Sequence, residues 1–157
     1  MILLIYDSVF GNTLKIANEI VNQLRIEHKV PLLRHVNDLT PEDITNADLI
    51  LFGSPTRAFR PSVPMMTLLK HVGKSLASKK VTCFDTRIDT STIQSKFLHQ
   101  MVRWFGYAND YFVKQFKRFG ALLITEPAYF FVKDSAGPLA EMALSQAIEF
   151  AERIAKV

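Results

Sequence analysis

Two rhythms of apolar residues alternate along this chain. Ile2-Leu3-Leu4-Ile5 is a continuous apolar run that, with Tyr6, reads as a buried strand. The period then changes. Over residues 12–27, Ala17, Ile20, Val21 and Leu24 recur at i, i+3, i+4 and i+7, the spacing of a helix with one apolar face. Lys29–Arg34 predicts a second strand. Leu39-Thr40-Pro41-Glu42-Asp43 is a helix start with proline in the first turn, and it opens a short helix. Asp48–Phe52 predicts the third strand, ending at Gly53. The proline-punctuated loop Ser54–Pro61 leads to a helix over Pro64–Val72. Lys80–Phe84 predicts the fourth strand, followed by Asp85-Thr86-Arg87. A long helical stretch, Thr92–Arg118, is expected to break near Gly106, and Ala121–Thr125 is the fifth strand. The last helix spans Pro138–Ala155, with Leu139, Ala143, Ala147, Phe150, Ala151 and Ile154 as its stripe.

Strands that are apolar throughout and separated by helices predict an α/β fold with a parallel sheet covered on both faces. No repeat, low-complexity tract or linker interrupts the pattern, so residues 1–157 are expected to form a single domain. Sheets of this kind bind ligands beyond the carboxyl ends of their strands, where the strand order switches. Three loops follow such ends: Ser8–Thr13, Ser54–Pro61 and Asp85–Thr90. In a five-stranded sheet of order 2-1-3-4-5 all three meet in one place.

Composition narrows the classes. Hydrophobic residues are 48% and charged residues 22%, which argues for a packed core rather than disorder. No apolar run approaches the roughly 20 residues of a membrane-spanning helix. The apolar start is short and lacks a basic lead, unlike a signal peptide, and the single cysteine, Cys83, has no internal partner. Together these predict a cytoplasmic protein without a membrane association. The net charge of +4 is mild and spread along the chain, and it permits an anionic ligand or partner.

The richest chemistry lies in Tyr6-Asp7-Ser8-Val9-Phe10-Gly11-Asn12-Thr13. A strand that turns through Ser, Gly, Asn and Thr into a helix makes a phosphate site. The helix start offers unpaired N–H groups and the positive end of its dipole. Gly11 allows close backbone approach, and Ser8, Asn12 and Thr13 carry further donors. The loop has no Lys or Arg, which suits a phosphate monoester better than a triphosphate with magnesium. The plain alternative is a strand–helix turn in which Gly11 serves geometry and Ser8 or Asn12 serves as a cap.

Other chemistries find little support. His28, His35, His71 and His99 show no metal-ligand spacing. Ser8 lacks the G-x-S-x-G elbow of a hydrolase, and no G-x-G-x-x-G loop is present, so a nicotinamide would be a visiting reductant. Lys114, Lys117 and Arg118 read as a solvated helix face, with no nucleic-acid partner expected.

At its three loops the sequence resembles the flavodoxin family over essentially its whole length. Ser8-Val9-Phe10-Gly11-Asn12-Thr13 matches the family's Ser/Thr-x-Thr-Gly-x-Thr phosphate loop except at Phe10. Gly53-Ser54-Pro55-Thr56-Arg57-Ala58-Phe59-Arg60-Pro61 resembles the Gly-Ser-Pro-x-x-x-Gly-x-Pro loop of short flavodoxin-domain proteins. Phe84-Asp85-Thr86-Arg87, Glu126-Pro127 with Phe131-Val132, and Gly137-Pro138-Leu139 also look like that subgroup. The resemblance implies a three-layer flavodoxin-like sandwich holding flavin mononucleotide (FMN) without covalent attachment. It implies phosphate contacts from Ser8, Val9, Phe10, Gly11, Asn12 and Thr13. Pro55, Thr56, Arg57, Ala58, Phe59 and Arg60 would lie along one side of the isoalloxazine ring, and Asp85, Thr86 and Arg87 along the other. The chemistry, one- or two-electron transfer, would be the cofactor's. No catalytic residue and no metal ligand carries over.

Three departures from the family pattern qualify this. Phe10 removes a phosphate-facing hydroxyl. Phe59 stands where the subgroup has glycine, and a bulky residue disfavours the positive-φ state needed for a peptide flip toward flavin N5. Phe59 is expected instead against the ring. The chain is basic, with a pI near 9.3, whereas carrier flavodoxins are acidic. Arg57, Arg60 and Arg87 on the ligand loops would raise the flavin potential and attract an anionic partner. That favours an FMN-dependent reductase, such as a NAD(P)H-dependent quinone reductase, over a low-potential shuttle to a redox partner protein. The runner-up is a flavodoxin-fold module that has lost FMN and acts by protein contact. Phe97, Met101, Trp104, Phe105, Tyr107, Tyr111 and Phe112 leave two readings open: one helix face packed on the sheet, or a flavin lid or homodimer surface.

Overall fold

The computed structural model describes residues 1–157. Strand β1 (Ile2–Tyr6) lies at the centre of a parallel sheet, between β2 (Pro31–His35) and β3 (Leu49–Pro55). Strand β4 (Lys80–Ile88) pairs with β3, and β5 (Leu122–Leu123) pairs with β4, giving the expected order 2-1-3-4-5. Helices are α1 (Asn12–Ile26), α2 (Pro41–Asn46), α3 (Val63–Val72), α4 (Lys96–Phe105), α5 (Ala108–Phe119) and α6 (Ala143–Ala155).

The alternation of side chains along each strand divides the core in two. Leu4, Leu49, Leu51 and Phe84 face one side, where Ile16, Ile20 and Leu24 of α1 and Phe150 and Ile154 of α6 cover them. Leu3, Ile5, Ile50, Phe52, Val81 and Cys83 face the other side, under Met65 and Leu69 of α3 and Phe112 and Phe116 of α5. The result is a three-layer sandwich. Cys83 is a small core side chain, and burial pushes its thiol well above the usual range, with the nearby Asp85 charge adding to the effect.

Two elements differ from the sequence reading, and a third, the helical stretch after the fourth strand, divides at Gly106 as expected. A sixth strand, β6 (Ala128–Val132), pairs with the upper half of β4. It continues the line of β5. Between Lys80 and Phe84 the β4 strand advances four residues, while its neighbour advances six, from Leu122 to Ala128. Two extra residues therefore bulge out around Pro127, which has no N–H to give to a ladder. The helical stretch beyond Thr92 breaks at Gly106, which sits at φ 70°, and becomes two helices of opposite character. Helix α5 packs on the sheet, whereas α4 buries no residue. Helix α6 starts at Ala143 rather than Pro138, because Lys133 N–H bonds Pro138 O (2.8 Å) and Ala140 N–H bonds Phe131 O (2.8 Å), folding that segment back along β6.

Candidate functional site

The carboxyl ends of β1, β3 and β4 open on one cavity of about 240 Å³. The loop after β1 supplies Ser8, Val9, Phe10, Asn12 and Thr13 to it. Gly11 stands at φ 86° just ahead of α1, a conformation glycine adopts without cost. The backbone N–H groups of Val9, Phe10, Gly11, Asn12 and Thr13 donate to nothing in the chain. Leu14 N–H, the next in line, is taken by Ser8 Oγ at 3.3 Å. Five free donors at the positive end of a helix of 15 residues form an anion cradle. The donor set fits a phosphate group and requires no lysine.

Thr13 and Thr86 tie the first loop to the third. Their hydroxyls share one hydrogen bond of 2.8 Å, buried beneath the cavity. One hydroxyl hydrogen makes that bond, so the other remains available to a ligand. The Asn12 amide reaches away, donating to Ala136 O at 3.1 Å, and so fastens the turn after β6 over the cradle. Gly137 is needed there, because a Cβ on it would press into the Asn12 side chain.

The second loop forms a miniature hairpin. Arg57 and Arg60 exchange both backbone hydrogen bonds, at 2.8 and 3.0 Å, across the two-residue turn Ala58-Phe59. Both turn residues have positive φ, 45° and 66°, the requirement of a type I′ turn. Phe59 thus holds the positive φ that its bulk disfavours. Closure of the tight ribbon imposes the conformation, and the Phe59 ring gains a tilted contact with Phe105 of α4, 6.2 Å between centroids. Pro55, Thr56, Arg57 and Ala58 border the cavity, and Phe59 and Arg60 line an adjoining groove that shares Val9, Arg57 and Ala58 with it. Thr56 N–H bonds Thr86 O at 2.8 Å and holds the second loop against the third.

The third segment, Asp85-Thr86-Arg87, expected as a loop after the fourth strand, is instead the end of β4, which runs on to Ile88 because β6 pairs with it, and it hides its charges. Asp85 is fully buried and does not border the cavity. Its carboxylate accepts two bonds from Arg87, both 2.6 Å, and one from Asn109 N–H at 3.0 Å, at the start of α5. Burial pushes the Asp85 carboxyl above the ordinary carboxylate range, and Arg87 pulls it the other way. The Arg87 guanidinium lies over Tyr107 (3.7 Å) and Tyr129 (4.5 Å). Arg87 still borders the cavity, but its charge is paired and its guanidinium stacked, which removes it from the set of free cations that the sequence placed beside a ring. Arg57 has no carboxylate partner and lies 5.7 Å over the Phe10 ring.

The cavity also takes in Ile88, Val132 and Ser135, which the sequence reading did not name as site residues. The signal for Val132 and Ser135 is the Phe131-Val132 and Gly137-Pro138 segment, and Ile88 lies within the Asp85–Thr90 stretch. Tyr107, Asn109 and Tyr129 were missed as the supports of Arg87 and Asp85. They are distant in sequence and carry no local pattern. The cavity lining holds no carboxylate and no histidine. Acid–base chemistry is therefore not built into its walls, and reactivity would come from a bound group. No three His, Cys, Asp or Glu side chains gather as metal ligands.

The sequence profile of the flavodoxin domain matches residues 3–127. The chain belongs to the flavodoxin family. Solved structures agree on the fold. An archaeal flavodoxin superposes with a TM-score of 0.77 at 16% identity, covering 99% of this chain and 96% of that one. An oxidised flavodoxin from Bacillus cereus gives 0.75 at 16% identity, with 99% and 97% covered. The rubredoxin:oxygen oxidoreductase of Desulfovibrio gigas gives 0.75 at 17% identity; there 99% of this chain overlays 35% of a much longer one. No curated protein matches the sequence. At these identities the solved structures speak to architecture, and this flavodoxin-family chain departs from the usual loops at Phe10 and Phe59. No helix is long and apolar enough to cross a membrane.

Proposed function

We propose that this chain binds FMN without covalent attachment and serves in electron transfer. The observation that carries the reading is the row of five unpartnered amides, Val9 to Thr13, at the head of a cavity walled by two further loops of a flavodoxin-family chain. The phosphate would rest on those amides, with the Thr13–Thr86 pair offering a hydroxyl. Pro55, Thr56 and Ala58 would flank one side of the ring, and Thr86 and Ile88 the other. Bound flavin supplies the redox chemistry, and the chain orients it and sets its surroundings. Arg57, unpaired at the cavity edge, favours added negative charge and hence the reduced state. An Arg57→Gln variant that leaves the flavin potential unchanged would remove this role from Arg57.

Titration with FMN, followed by flavin absorbance and calorimetry, tests the reading. Saturable binding at micromolar flavin supports it, and colourless protein that takes up none refutes it. The alternative, a flavodoxin-fold module that has lost FMN and acts by protein contact, draws on Phe10, Phe59 and the aromatic segment, and it predicts no saturable flavin binding. Oxidation of NAD(P)H with a quinone separates a reductase from a carrier, whose partner would be another redox protein.

A further inference from the structure

Helix α4 has a composition and placement that the flavin site does not require. It follows an exposed turn at Thr90–Thr92 and ends at Gly106, and none of its ten residues is buried. Its sequence, Lys-Phe-Leu-His-Gln-Met-Val-Arg-Trp-Phe, contains no acidic residue. At 100° per residue the apolar side chains occupy one continuous arc, and Lys96, His99, Gln100 and Arg103 occupy the other. Leu98 and Val102 lean on the body of the protein, while Phe97 (75% exposed), Trp104 (68%) and Phe105 (49%) stand in solvent. A helix that served only the fold would turn these rings inward.

The surroundings extend the same character. Arg60 shares a surface hollow with Trp104 and Phe105. Arg57 shares the adjoining groove with Val63, Met101 and Phe105. None of Lys96, Arg103, Arg57 and Arg60 has a carboxylate partner. The acidic groups that line these hollows are Asp110, which accepts Tyr107 N–H at 2.7 Å, and the buried Asp7, which accepts Ser8 N–H at 2.9 Å. Around the exposed rings the cations without a carboxylate partner outnumber them.

We propose that this face, centred on α4, docks on an anionic lipid bilayer surface. A strongly two-sided helix of low overall hydrophobicity, with Trp and Phe on one face and basic residues on the other, is the form that lies in the plane of the interface. The rings enter the headgroup region, and Lys96 and Arg103 reach sideways to lipid phosphates. A second copy of the chain is a poorer occupant, since it would bring an equal set of unpaired cations against these. An acidic protein surface is the competing occupant, and soluble polyglutamate stands in for it in the test. The proposal is independent of the flavin reading.

Trp104 is the chain's single tryptophan and reports on the face directly. The full chain is mixed at low salt with vesicles of phosphatidylcholine alone, or of phosphatidylcholine with phosphatidylglycerol. Co-sedimentation with the mixed vesicles, a blue shift of Trp104 emission and reversal by salt are expected. Each basic charge removed lowers affinity about fivefold, so Lys96→Glu with Arg103→Glu weakens binding by about twentyfold or more. Phe97→Ser, which alters no charge and leaves the thermal melt in place, weakens it as well. The proposal is overturned by failure to bind mixed vesicles, or by binding that ignores both variants. It is also overturned by a lipid-free, concentration-dependent blue shift that reveals a second copy, or by a shift with soluble polyglutamate but not with vesicles.

Discussion

Replacing Asp85 by asparagine keeps the shape of the side chain and removes one charge from a closed pair. The Arg87 side chain is only 11% exposed and would be left without its counter-charge. Its stacking on Tyr107 and Tyr129 does not replace a carboxylate. Breaking a buried ion pair from one side costs roughly 3–5 kcal/mol. For a chain of this size each kcal/mol moves the midpoint by about 2–4 °C, so Asp85→Asn should melt about 10 °C lower. The double variant Asp85→Leu with Arg87→Met removes both charges at once and should lie within about 1 kcal/mol of the parent, or above it. Urea unfolding followed by circular dichroism at neutral pH, for parent, single and double variants, reads all of this. A single variant within 1 kcal/mol of the parent at neutral pH would refute the reasoning. So would a double variant whose loss equals the sum of the two singles.

Other positions give sharper local tests. Gly53→Ala would drive a Cβ into the ring of Phe84, itself buried against Phe130 and Phe150, and should cost about 1–3 kcal/mol by chemical denaturation. Gly11→Ala meets open space but must hold φ 86°, so it should lose about 1–2 kcal/mol of stability and weaken FMN binding in calorimetry. Thr40→Ala removes the hydroxyl that receives Asp43 N–H at the start of α2 and should cost about 1 kcal/mol. Asp43 itself is held below 3.8 by Thr40 N–H and then Arg34, so its contribution is present above 3.8 and vanishes as pH falls through the lowered value. An Asp43→Asn variant should flatten the acid limb of the stability curve.

Much of this molecule could be read from local pattern. Runs such as Ile2–Ile5 and Leu49–Phe52 specify parallel strands, because burial on both faces leaves no room for polar positions. The cradle was legible for a similar reason. Ser8 to Thr13 are adjacent in sequence, and a free helix start after a glycine turn is a local property of the backbone. What stayed hidden depends on residues far apart in the chain. Nothing near Arg87 shows that Asp85 would pair its charge and Tyr107 and Tyr129 would stack on it, for that needs β4, α5 and β6 to pack side by side. Nothing near Phe59 shows that a two-residue ribbon would force it to positive φ, where intrinsic preference points the other way. Apolar spacing alone does not separate α4 from α5, since each has one apolar face, and only the packed sheet decides which of the two it has room to cover.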